Sequence, residues 1–274
     1  MANVGEKMRA LLLAAILLCG CSTWRVDEAP TTPRLPQTQM SRNSVGLEVA
    51  TVTLDADNYH LLDEIIHSLD EQVMDATVRR HLADNGFRGG LIGTQLPTAI
   101  QLLLLEAADR RERPTAETFR ELPDQQRFVQ CRSGKRVDVP LWGTIPVADI
   151  KHNDGELTVT DTLQAAACKL GLVSEPAEDN GAHITLKPYI EHGNLRQQYV
   201  VDGGAFHMEA GREEVAYDDL EMKFSLQSGE TLLITCTEGK AMLGQTFFRN
   251  ADGTKQKLML VRLAQTQIDM SFDQ

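Results

Sequence analysis

Val45-Gly46-Leu47-Glu48-Val49-Ala50-Thr51-Val52-Thr53-Leu54 carries β-branched and apolar residues at both odd and even positions. Successive side chains of a strand point to opposite faces, so a run that is apolar on both predicts a central strand. A helix follows Asp57. At 100° per residue Leu61, Leu62, Ile65, Ile66 and Leu69 share one side, while His60, Asp63, Glu64 and His67 fall opposite. A second helix runs from an Asp75 cap through Val78 and Leu82 to Asn85-Gly86, whose glycine suits the left-handed C-terminal turn. Phe87 to Gly93 reads as a short strand. Pro97 then opens a third helix, Ile100 to about Arg110, and its consecutive leucines Leu102 to Leu105 predict burial on more than one side.

From Gln125 the pattern changes to short alternating runs. Arg127–Cys131 and Arg136–Trp142, with Gly134 between them, predict a hairpin. Further strands are expected at 163–173, 182–191, 197–202, 218–227, 230–237, 240–249 and 255–267, the last ones joined by Ser228-Gly229, Glu238-Gly239 and Asp252-Gly253. The expected class is α+β: a strand and helix portion at 45–122, then a β-rich, sandwich-like antiparallel portion at 123–274.

The chain has 274 residues, with 27 Lys+Arg against 39 Asp+Glu and a formal net charge of −12. An acidic surface with no local basic patch excludes nucleic acid as a partner. Lys7 and Arg9 precede an apolar run from Ala10 to Cys19. That order is a signal peptide's, and the run falls short of the roughly 20 residues needed to span a bilayer. The following Leu18-Cys19-Gly20-Cys21-Ser22 resembles the lipobox of bacterial lipoproteins. The resemblance implies removal of residues 1–20, acylation of Cys21 and anchoring in the membrane by its acyl chains, each buried methylene contributing about 0.8 kcal/mol. Ser22 after the cysteine implies the outer membrane, facing the periplasm. Residues 21–44, with Pro30, Pro33 and Pro36 among polar residues, read as a tether, reaching roughly 25 Å as a coil and up to about 70 Å if extended.

The body's three cysteines, Cys131, Cys168 and Cys236, have no metal-site spacing and leave room for at most one disulfide; buried thiols are the simpler expectation. His60, Glu64 and His67 stand at i, i+4 and i+7, but the imidazoles lie about 10 Å apart along the axis, too far for one ion. His207-Met208-Glu209 with Glu213 and Glu214 reads as solvated charge near a turn. Gly86-Phe87-Arg88-Gly89-Gly90-Leu91-Ile92-Gly93 follows a helix and enters a strand, the reverse of a phosphate loop, so close backbone packing is expected there. With no nucleophile elbow in the chain, the reading is of no catalytic residue, no metal and no cofactor.

Three stretches of the β-rich portion resemble the secretin domain, the β-module of type II and III secretion outer-membrane rings. They are Ala182–Ile190 (AHITLKPYI), Phe224–Ile234 (FSLQSGETLLI), and Leu243–Phe248 with Lys257–Leu263 (LGQTFF, KLMLVRL), in the family's order and within residues 160–268. The family's double glycine is Thr235-Cys236 here, and its proline pair and membrane-lip segment are missing. The resemblance implies a secretin-like module without a gated pore. The expected protein is thus a non-catalytic, lipid-anchored cell-envelope component supporting an assembly, as a homo-oligomer or with an envelope protein partner. A monomeric periplasmic ligand-binding lipoprotein with an apolar cleft is the alternative, and an envelope hydrolase the second.

Overall fold

The central strand is β1, Ser44–Asp55, paired antiparallel with β11 (Lys255–Gln267) on one side and β3 (Gln125–Arg132) on the other. The computed structural model describes residues 43–112, 122–202, 205–237, 239 and 241–267. A first sheet is completed by β2 (Phe87–Gly93) and β10 (Thr231–Cys236) in the order β2-β10-β11-β1-β3, all antiparallel. Two C-terminal strands therefore stand between β1 and β2, and segments 45–122 and 123–274 build one sheet together.

Alternation along β1 separates two cores. Ala50, Val52 and Leu54, with Leu233, Leu258 and Leu260, face helices α1 (Tyr59–His67) and α3 (Thr98–Glu112), which contribute Leu62, Ile65, Ile100 and Leu103. Val45, Leu47 and Val49 face the opposite way, with Leu232, Ile234 and Val261, into the larger core. Leu102 and Leu105 of α3 are exposed, against the expectation for that leucine run: the helix lies on the sheet's surface and buries one stripe.

The larger core is closed by a second antiparallel sheet. Its strands are β4 (Val137–Pro140), β5 (Ile145–Asn153), β6 (Thr158–Pro176), β7 (Ala182–Asp202), β8 (Ala205–Ala216) and β9 (Met222–Leu226). Leu170, Leu172, Ile184, Leu186 and Leu226 fill the space between the sheets. The architecture is α+β, with a helical layer over one face of the first sheet and the second sheet over the other.

Two expectations fail in instructive ways. The predicted hairpin at Gly134 does not form, because β3 has eight register partners on β1, Ser44 to Thr51, while β4 is only four residues long and pairs with β6. Gly134, at φ +72°, instead turns the chain from one sheet into the other. The predicted strand at 240–249 is helix α4, Leu243–Phe248. A strand would send Phe247 and Phe248 to opposite faces; the helical turn packs both against Phe87, with ring centroids 5.6 and 6.2 Å away. Strands β5 and β8 have no counterpart among the predicted strands, the segments at 182–191 and 197–202 form the single strand β7, and the run 218–227 opens with a 3-10 turn at Asp218–Leu220 before β9.

Helix α2 (Ala76–Asp84) has the expected ends: the Asp75 carboxylate accepts from the Thr77 amide at 2.7 Å, and Gly86 takes φ +79°. Of the glycines after it, Gly89 and Gly90 serve close packing as expected, whereas Gly93, with open space at its Cβ position, serves a backbone at φ +86°. A Cβ on Gly90 would stand 2.7 Å from the Asp70 carbonyl oxygen, and Asp70 forms a two-way backbone bridge with Leu91.

Candidate functional site

Strands β6 and β7 pair from Pro176↔Ala182 to Ala167↔Glu191 and then part. Beyond the fork β6 pairs with β5 and β7 with β8. Local backbone marks the parting on both strands. Ala165 sits at φ +51°, a conformation costly for a residue with a Cβ, and its carbonyl accepts from Arg212 Nη1 at 3.3 Å. On β7, Gly193 takes φ +74° and the register with β8 shifts between His192 and Arg196.

The two arms differ. The β7–β8 arm continues as a ribbon from Arg196↔Gly211 to Asp202↔Ala205, seven residues per strand and roughly 24 Å long at about 3.4 Å per residue. Among the described residues no third strand pairs with it, and Met208 on it and Leu195 just before it are exposed. The β5–β6 arm is docked. At its end the Asn85 side chain, fully buried at the C-cap of α2, donates to the Asn153 carbonyl (2.8 Å) and accepts from the Asn153 amide (2.7 Å), closing a backbone-like pair between helix and strand.

This docking assembles a cluster from three elements. His81 lies in the last turn of α2, one turn before Asn85; His152 precedes Asn153 on β5; Asp219 lies in the 3-10 turn between β8 and β9. His81 Nε2 and His152 Nε2 stand 2.8 and 2.7 Å from the same Asp219 Oδ2. The side chains are 21%, 17% and 35% exposed, so the cluster is partly sheltered and open on one side. The Tyr217 ring packs edge-on to His152, with centroids 4.9 Å apart. Burial raises the Asp219 pKa, but its contacts with His81 and His152 outweigh burial and hold the carboxyl below its ordinary value.

The residues weighed from the sequence are placed elsewhere. His60 and His67 lie exposed on α1 with Glu64, their Nδ1 atoms 3.2 and 2.6 Å from the carbonyls of Asp57 and Asp63. Glu213 pairs with Arg196, and Glu214 takes both terminal nitrogens of Arg136 at 2.8 and 2.9 Å. The side chains of His207 and Glu209, like Cys21 and residues 1–42, lie outside the described residues. Cys131, Cys168 and Cys236 are buried thiols on β3, β6 and β10, and burial pushes Cys168 up to about 12. A cleft of about 380 Å³ opens beside α2, lined by Met74, Leu82 and Phe87 and by Arg79, Arg88 and Glu71. The His–Asp–His cluster escaped sequence reading because its members lie 71 and 67 residues apart. The chain matches no protein-family model, no curated protein and no solved structure.

Proposed function

We propose that the protein is a non-catalytic, lipid-anchored component of the bacterial cell envelope, held by Cys21 in the outer membrane facing the periplasm. In this reading its secretin-like β-module builds an assembly by pairing strands with further copies of itself. The supporting observation is the β7–β8 ribbon. A two-stranded ribbon standing alone in water is marginally stable, and its unpaired amide and carbonyl rows are a template for another strand. The natural chain would leave seven residue pairs in that condition unless a neighbour's strand completes them. The forked sheet, with one arm docked and one free, supplies such a strand from each copy.

The test is the mass of the detergent-extracted protein by light scattering on a sizing column. It is run on the lipidated chain, on a Cys21→Ser form, and on a form whose residues 196–211 are replaced by a two-residue turn. A defined multimer with and without lipid, reduced to monomer by shortening the ribbon, is the expected result. A monomer in both full-length forms would overturn the reading in favour of a tethered binding module using the cleft beside α2.

A further inference from the structure

Two imidazoles and a carboxylate converge on one point from a helix, a strand and a turn, and their ligating atoms all lie within 4.8 Å of one another. Both Nε2 atoms address a single carboxylate oxygen, so each must carry its proton there, and the two donor edges are held together at that oxygen. The framework is fixed independently of these contacts, because the Asn85–Asn153 pair clamps the end of α2 to the end of β5 one turn and one residue away from the histidines. We propose that His81, His152 and Asp219 form a zinc site that fastens the end of the docked β5–β6 arm and the turn between β8 and β9 to α2.

The donor set selects the ion class. Two imidazole nitrogens and one carboxylate oxygen suit zinc and its neighbours in the first transition row, whereas calcium and magnesium require a shell built from oxygens. Bonds of about 2.0–2.1 Å in a tetrahedron set ligand atoms about 3.3 Å apart, so on binding the 2.8 and 2.7 Å contacts open by about half an ångström and the two imidazole nitrogens, within 4.8 Å of each other, settle to the same spacing. The partial exposure of all three side chains leaves a quadrant for a water as fourth ligand. The ion takes the place of the two Nε2 protons; each imidazole stays neutral by carrying its proton on Nδ1. The inference stands apart from the assembly reading, since the three ligands belong to one chain.

The experiment uses the untagged full chain in detergent, stripped with a chelator, and titrates it with Co²⁺ followed by visible absorption and with Zn²⁺ followed by calorimetry. One equivalent per chain with a tetrahedral Co²⁺ spectrum, displaced by Zn²⁺, is expected, together with a rise in the thermal midpoint that grows with Zn²⁺ concentration. His81→Gln, His152→Gln and Asp219→Asn should each weaken Zn²⁺ binding at least tenfold, and a His60→Ala/His67→Ala double variant should leave it unchanged. X-ray absorption of the zinc-loaded parent, which depends on no variant folding, should count two imidazoles. An absent stoichiometric site, fewer than two imidazoles, or binding that survives His81→Gln and His152→Gln would overturn the proposal.

Discussion

Gly244→Ala sets two physical effects against each other with opposite signs. Gly244 lies in the first turn of α4 and its φ is not positive, so alanine suits the backbone, and helix propensity alone favours the substitution by about 0.8–1.0 kcal/mol. Packing opposes it. A Cβ there would stand 2.2 Å from the Gly86 carbonyl oxygen, 2.3 Å from its carbon and 2.8 Å from the Phe87 nitrogen. All three are backbone atoms and cannot rotate away. The Gly86 carbonyl also accepts from Thr237 at 2.9 Å, and Gly244 itself donates to the Asn85 carbonyl at 2.8 Å, so retreat by an ångström loosens both bonds. Overpacking of this kind costs about 1–3 kcal/mol and two weakened hydrogen bonds about 1 kcal/mol each. After the propensity gain, the net loss is about 2–4 kcal/mol. With a urea slope of about 3 kcal/mol per molar, the unfolding midpoint falls by about 1 M with the slope unchanged. A midpoint equal to the parent's, or above it, would refute the close-packing argument and leave propensity as the governing effect.

Three further outcomes are expected. Asn85→Ala removes both bonds to Asn153 and strands a backbone amide and carbonyl, costing about 2–4 kcal/mol in urea unfolding; a loss under about 0.5 kcal/mol would mean that the β5–β6 arm is not held there. In a Cys19→Ser/Cys21→Ser chain, burial keeps Cys131, Cys168 and Cys236 unreactive toward a thiol reagent at pH 8, and three equivalents react in denaturant without reductant; a single equivalent would reveal a disulfide. Asp75 is held below its ordinary 3.8 chiefly by the Thr77 backbone amide. Its folded pKa is the depressed one, so its stabilisation is present above pH 3.8 and fades as pH falls through the folded value. The midpoint gap between the parent and Asp75→Ala should therefore be full at pH 7 and close below that value; a gap constant down to pH 2 would show that the ionised cap contributes nothing.

What the sequence made legible was set by how far each signal reaches along the chain. The two-sided apolar run at β1, the cap of α2 and the turn at Gly86 are local and appear where read. The partner of a strand is a non-local property, and there the reading stopped: β3 and β4 lie five residues apart, yet each finds its register on a different sheet. The Leu102–Leu105 run misled because hydrophobicity alone does not count how many layers cover a helix, and α3 has one. Adjacent Phe247 and Phe248 read as strand for want of the information that both pack against Phe87 in space. His60, Glu64 and His67 drew attention because they are near one another in sequence, whereas His81, His152 and Asp219 are near only once three chain segments meet.

That meeting point also bears on how β8 and β9 are seated on β7. Asp219 lies in the turn by which the chain leaves β8 and enters β9, and both of those strands pair with the same edge of β7. Tyr217, whose amide donates to the Pro188 carbonyl at 3.1 Å, and buried Leu220 seat the turn on either side of the carboxylate. A displacement of Asp219 is therefore a displacement of the turn that joins β8 to β9 on that edge. Holding its carboxylate on His81 and His152 ties that turn to α2 and to the arm that Asn85 docks. A fixed turn here holds the register of β8 and β9 on β7, and a one-residue slip in register would turn every side chain to the other face. The cluster thus joins the far end of the docked arm to the turn that seats β8 and β9 on one edge of β7.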